Sequence, residues 1–164
     1  MSRSTLTSAW LSALVLLTMA GASHSQDAKP QTALALAGEG VQIYTCQVQS
    51  GTASWVLKAP DATLRDSHGK TVGHHFGGPS WKLDDGSTVV GEALSVSPAP
   101  QAGAIPWIVL HVKSHDGQGG LESVDYVVRT QTQGGVAPQT GCDAAHAGVE
   151  LRVPYKATYL FFRR

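Results

Sequence analysis

The chain has no asparagine, only two cysteines, and no excess of either charge, with 12 basic and 12 acidic residues in 164. Each scarcity excludes something. Without asparagine there is neither an N-linked glycosylation site nor an Asn-Gly hairpin turn. Without a basic surplus there is no electrostatic footprint for nucleic acid or for an anionic membrane surface. Beyond the N-terminal segment no run of ten residues carries a 3.6-residue apolar period, which excludes an architecture of amphipathic helices. Signature motifs are missing too. There is no Gly-x-Ser-x-Gly elbow, no His-Glu-x-x-His, no EF-hand loop and no phosphate-binding glycine loop. The Gly-x-Gly of Gly38 and Gly40 meets Ile43 where a dinucleotide fingerprint needs its third glycine, and it lies in no βαβ unit.

What is present begins with an address. Arg3 opens a short basic region, residues 9–22 are mostly apolar, and Ser23-His24-Ser25 puts small residues at the positions a signal peptidase reads. Residues 1–25 are therefore expected to be a secretory signal peptide, and the chain to be secreted or periplasmic. The apolar run is broken by Ser12 and Thr18 and falls short of the roughly 18 residues a membrane span needs. No span is expected after cleavage. The remaining 139 residues suit one domain. In an oxidising compartment the default fate of Cys46 and Cys142 is a disulfide. Closing a loop of that length contributes roughly 4 to 5 kcal/mol in the chain-entropy account.

The rest reads as strands. Residues 26–39, rich in Ala, Gly and Gln, are expected as a flexible lead-in, followed by an all-β domain over 40–164. Residues 41–48 and 151–162 alternate with a period of two, and Pro154 predicts an edge or a bulge early in the second of these strands. Residues 105–112 are apolar on both faces except at His111, the pattern of a central strand covered on both sides. Residues 124–132 are its expected hairpin partner across the turn at 115–120. Turn residues at short intervals complete the pattern. The expectation is a single-domain antiparallel β-sandwich with a barrel-like arrangement as the alternative.

Seven ordered motifs carry a resemblance. They are GVQIYTC at 40–46, AP-D-A-x-L-x-D at 59–66, G-x-H-F-x-GP-x-W at 73–81 and DGS-x-V-x-G at 85–91. IPW with following aliphatics at 105–110, T-x-GG-x-AP at 132–138 and VPY-x-A-x-Y-x-F at 153–161 complete the set. In these the chain resembles the secreted proteins of the domain of unknown function 3455 family, over nearly the whole mature length. The resemblance implies no activity. It does imply Gln and Asn where this chain has Val128 and Gln131, and a tyrosine where this chain has Phe162-Arg163.

The densest chemistry lies between Gly73 and Gly91, where two histidines, two aspartates and five glycines share nineteen positions. His75, Trp81 and Asp85 are the candidate ligand contacts, on the expectation that the turns at 77–79 and 84–86 share one end or edge of the sheets. Aromatic rings beside Asp and His suit a carbohydrate or another small polar ligand. Trp55 and Trp107 are expected in the core. His74 and His75 point to opposite faces of a strand, so they cannot share one metal without a bulge. His75 with His111 and a carboxylate from Asp66, Asp84 or Asp85 would make a two-His-one-carboxylate metal site. Carboxylate pairs for glycoside hydrolysis could be drawn from Asp85, Glu92 or Asp125. Arg129, on one face with Asp125, is expected to be partly buried and paired. The function expected is a non-catalytic extracytoplasmic binding or structural module for a small polar ligand or a cell-envelope component, without a required cofactor. The alternative is a small metal-dependent enzyme centred on His75 and His111.

Overall fold

Period-two alternation governs the structure. In the last strand Tyr155, Ala157, Tyr159 and Phe161 are buried while Pro154 and Lys156 are exposed and Thr158 and Leu160 are half-buried. The structure is a computed structural model that describes Lys29 and residues 31–164; the expected signal peptide lies outside the described residues. Eight strands follow in chain order: β1 (Gln31–Gln49), β2 (Thr52–Arg65), β3 (Thr71–Phe76), β4 (Ser80–Leu83), β5 (Thr88–Ser97), β6 (Trp107–Asp116), β7 (Tyr126–Gly134) and β8 (Glu150–Arg163). Each pairs antiparallel with the next, and β8 pairs antiparallel with β1. The fold is all-β and antiparallel. Its strands form one sheet closed on itself, the barrel-like arrangement, where two stacked sheets were the first expectation.

Closure depends on β1, which has 19 residues and pairs with β2 on one side and β8 on the other. Residues 31–39, expected as a flexible lead-in, are strand. Gly38 and Gly40 make this possible. A Cβ on Gly38 would stand 2.5 Å from the Tyr159 ring, and one on Gly40 would stand 2.1 Å from the Asp61 carbonyl oxygen. Glycine inside a strand marks such close approaches.

Other expectations meet the structure one by one. The hairpin of β6 and β7 forms, with Ile108 opposite Arg129 and His111 opposite Tyr126. β6 is covered mainly on its inner face: Leu110 and Val112 are buried, whereas His111 and Lys113 are exposed. Pro154 stands opposite Val41 and one residue before Tyr155, the first β8 residue to pair with β7, so its missing N–H leaves the β7 ladder intact. Trp81, and not Trp55 or Trp107, is the core tryptophan. Trp55 is half-buried at the end of the ring and donates Nε1–H to the Thr140 carbonyl at 3.0 Å.

The disulfide joins Cys46 of β1 to Cys142 in the long β7–β8 connection. It is reinforced by backbone hydrogen bonds from Cys46 N–H to the Val149 carbonyl and from Gly148 N–H to the Cys46 carbonyl, both 2.9 Å. The wall is weakest at β3 and β4, which have only six and four residues. β3 pairs with β2 only from Ala62 to Arg65, and β4 pairs with β5 only from Thr88 to Val90. β2 before Ala62 and β5 beyond Gly91 therefore face each other across an uncovered stretch of wall. Pro60 lies in this stretch, opposite Gln42 of β1 and before the first β3 pair at Ala62, so its missing N–H breaks no β2–β3 hydrogen bond.

Candidate functional site

Behind that stretch is a cavity of about 260 Å³. Its floor comes from strands far apart in sequence: Gln42 of β1, His75 of β3, Trp81 of β4, Ile108 of β6, Arg129 of β7 and Tyr159 of β8. Residues 57–60 of β2 and Gly78-Pro79 of the β3–β4 turn form its rim.

His75 and Trp81 are cross-strand partners whose side chains both point inward, at 2 % and 1 % exposure. Their rings stack at 4.5 Å between centroids and 10° between planes. His74 is exposed, as its alternation with His75 requires. His75 Nδ1 lies 2.8 Å from the Ser80 carbonyl, so Nδ1–H donates and Nε2 is left as the acceptor of the neutral ring. Burial pushes the imidazole pKa down to about 4, with the Arg129 charge acting the same way and the Ser80 hydrogen bond opposing. The ring is neutral at neutral pH. Tyr159 is buried 5.0 Å from His75 and its hydroxyl lies 3.0 Å from that of Tyr155. Burial raises the pKa of both phenols, so they too are neutral.

Two buried donors here have no partner in the fold, and a cation beside them has no charged one. Gln42 is 2 % exposed, and its Nε2 has no partner among the described residues. The same holds for Trp81 Nε1. A buried donor left unpaired costs about 1 to 3 kcal/mol. Arg129 is half-buried and was expected to be ion-paired; its Nε and Nη2 instead donate to the Pro106 carbonyl at 3.2 and 2.8 Å. It forms no ion pair among the described residues. Asp125 accepts instead from the Arg164 backbone N–H at 2.9 Å. The Arg129 charge reaches His75, Tyr155 and Tyr159.

The structure thus brings together His75 and Trp81 but leaves Asp85 apart from them. The turns at 77–79 and 84–86 lie at opposite ends of β4 and not at one end. Asp85 Oδ1 accepts from the Ser87 N–H and hydroxyl at 2.9 and 2.6 Å, and Oδ2 accepts from Gly120 N–H at 2.8 Å. These bonds, with the one from Gly120 foremost, hold its pKa below the usual carboxylate range. Asp85 ties the β4–β5 turn to the β6–β7 loop.

His111 is exposed on the outer face of β6, with its ring 5.7 Å from that of Tyr126. His75 faces the interior, so the wall separates the two histidines. Among the described residues no group of three or more His, Cys, Asp or Glu side chains is placed to hold a metal ion. Trp81 is fully buried with one face covered by His75, so it offers no platform on which a sugar ring could stack. Gln42 was not singled out from the sequence, nor was Arg129 as a cavity cation. Their joint position depends on closure of the sheet. Among the described residues no helix is long and apolar enough to cross a membrane.

Fold and cavity define the chain as a closed antiparallel sheet with a partly polar side cavity. The chain belongs to the DUF3455 family, described as proteins of unknown function, whose family model matches residues 27–163. No curated protein and no solved structure matches it.

Proposed function

We propose that this protein is an exported, non-catalytic binding module that takes a small, partly apolar ligand into the cavity behind the β3–β4 hairpin. The observation that carries this reading is the pair of buried donors, Gln42 Nε2 and Trp81 Nε1, left without partners on residues that line a cavity. Buried donors are ordinarily paired; of the three left unpaired among the described residues these two line the cavity, and the third, Trp107 Nε1, does not. The surrounding apolar side chains, among them Leu57, Ile108 and Leu110, suit the common pattern of an apolar pocket with a few fixed polar groups. Binding is favoured over catalysis because the cavity histidine is fixed by a carbonyl and no carboxylate lines the cavity to orient or complement it. Export is supported by the N-terminal leader pattern and by the disulfide.

A fragment screen by NMR tests the site. Binding fragments should shift the methyl signals of Ile108 and Leu110, and Ala59→Phe, which fills the rim, should abolish their binding while the protein stays folded. Fragments that bind Ala59→Phe undiminished, or that shift only residues around Asp85, would place the site elsewhere.

A further inference from the structure

The uncompensated cation in the wall says more about the ligand. Arg129 is partly withdrawn from water, yet its protein partners, the Pro106 carbonyl and the Tyr159 phenol, are neutral. The groups around it, His75, Tyr155, Tyr159 and Gln42, are neutral. The other cation at the cavity, Lys58, lies on the rim and is paired outward with Glu150. No acidic side chain lines the cavity. A guanidinium in such surroundings gains most from a planar anion, which it can grip through two parallel N–H donors. Gln42 Nε2, on β1 two strands along the ring from β7, adds a further unpaired N–H at the same cavity. Beyond these donors the lining turns apolar at Ile108, Leu110, Leu57 and Pro79.

We infer that the ligand is a small organic acid, a carboxylate held by Arg129 and Gln42 with an apolar body lodged against Ile108, Leu110 and the Trp81 edge. This rests on the cavity being the ligand site. The cavity volume of about 260 Å³ limits the body to a short chain or a single ring.

Benzoate and hexanoate should be titrated into the folded chain at pH 7 beside their neutral counterparts, benzamide and hexanamide, with calorimetry for affinity and the Ile108 and Leu110 methyl signals for location. Each acid should bind at least tenfold more tightly than its amide. Arg129→Gln should erase that preference and leave the amides unchanged, while Arg129→Lys should retain part of it. Amides that bind as tightly as the acids and perturb the same methyls would overturn the acid inference and leave the cavity reading standing. If neither acid nor amide perturbs those methyls, both fall. The comparison within the wild type decides the matter even if the Arg129 variants fold poorly.

Discussion

Acidification should destabilise this protein through one residue, His75. Its ring is 2 % exposed, stacked on Trp81 and bonded to the Ser80 carbonyl, and burial holds its pKa at about 4 against an ordinary 6.5. In the unfolded chain the ring takes up a proton near pH 6.5; in the folded chain it does so only near pH 4. The unfolded state therefore binds more protons between these values, so stability is complete above pH 6.5 and is lost as pH falls toward 4. At about 1.4 kcal/mol per pH unit the whole window is worth about 3 kcal/mol, of which about 2 kcal/mol is gone by pH 5. For a domain of this size that moves the urea midpoint by roughly 1 M. The assay is urea unfolding followed by circular dichroism at half-unit steps from pH 8 to 4, on the wild type and on His75→Phe. Phenylalanine keeps a ring against Trp81 but cannot titrate. It should cost about 1 to 3 kcal/mol at pH 7, because the Ser80 carbonyl loses its donor, and its stability should be nearly flat between pH 7 and 5. The carboxyls of Asp85 and Glu39, held low by hydrogen bonds, act below this window and remain in both proteins. Parallel losses in the two proteins between pH 7 and 5 would refute the assignment.

Four further outcomes can be checked. Thiol titration of the denatured, unreduced protein should find close to zero free thiols, and reduction should remove roughly 4 to 5 kcal/mol and lower Tm by well over about ten degrees; two free thiols would contradict the bridge. Gly40→Ala should destabilise by at least about 2 kcal/mol in denaturant titration, since its Cβ would meet backbone at 2.1 and 2.5 Å, and a wild-type midpoint would show that β1 can shift. Ser50 and Gly51 both have positive φ in the two-residue β1–β2 turn, so Ser50→Asp should raise stability by about 0.5 kcal/mol, measured as a higher Tm. Asp85→Ala should cost about 2 kcal/mol through its three lost hydrogen bonds and leave affinity in the cavity unchanged; a tenfold loss of affinity with unchanged stability would return Asp85 to the site.

Much of the fold could be read from the sequence because strand patterning is local. Alternation at 151–162, the hairpin at 105–132 and the pairing of the cysteines all follow from short-range pattern or compartment chemistry. Closure does not. Whether Leu36 and Gln42 face inward depends on β1 finding β8, more than a hundred positions away, and no local signal encodes that pairing. In sequence the glycines at 38 and 40 read as a failed nucleotide motif, and Gly40 as the start of a family motif, with no sign of their packing role. Their role emerges when Tyr159 and Asp61 are brought against them. The strand start at Gln31 was missed for the same reason, since its partner is Arg163 at the other end of the chain.

The candidate site divides along the same line. His75 and Trp81 could be singled out because they sit six positions apart in one hairpin, but their chemical neighbourhood comes from elsewhere. Arg129 reads in sequence as a basic residue on the same strand face as Asp125, with Val127 between them, and so as its ion-pair partner. The structure gives Asp125 to the Arg164 backbone and turns Arg129 toward Pro106 and the cavity. Gln42 reads as the polar half of an alternating strand, the position normally left to solvent. It faces inward because β1 buries the side that carries Tyr44 and Cys46, the residues anchored to Gly135 and to the disulfide. The anchors thus decide which face of β1 is interior, and Gln42 is carried in with them. Its amide then lies buried at the same cavity as a cation two strands away, Arg129 of β7. A polar residue drawn inward by its neighbours' anchors is normally satisfied by the protein; here its nitrogen is not, which is what favours the cavity over the aspartate-rich turn as the proposed ligand site.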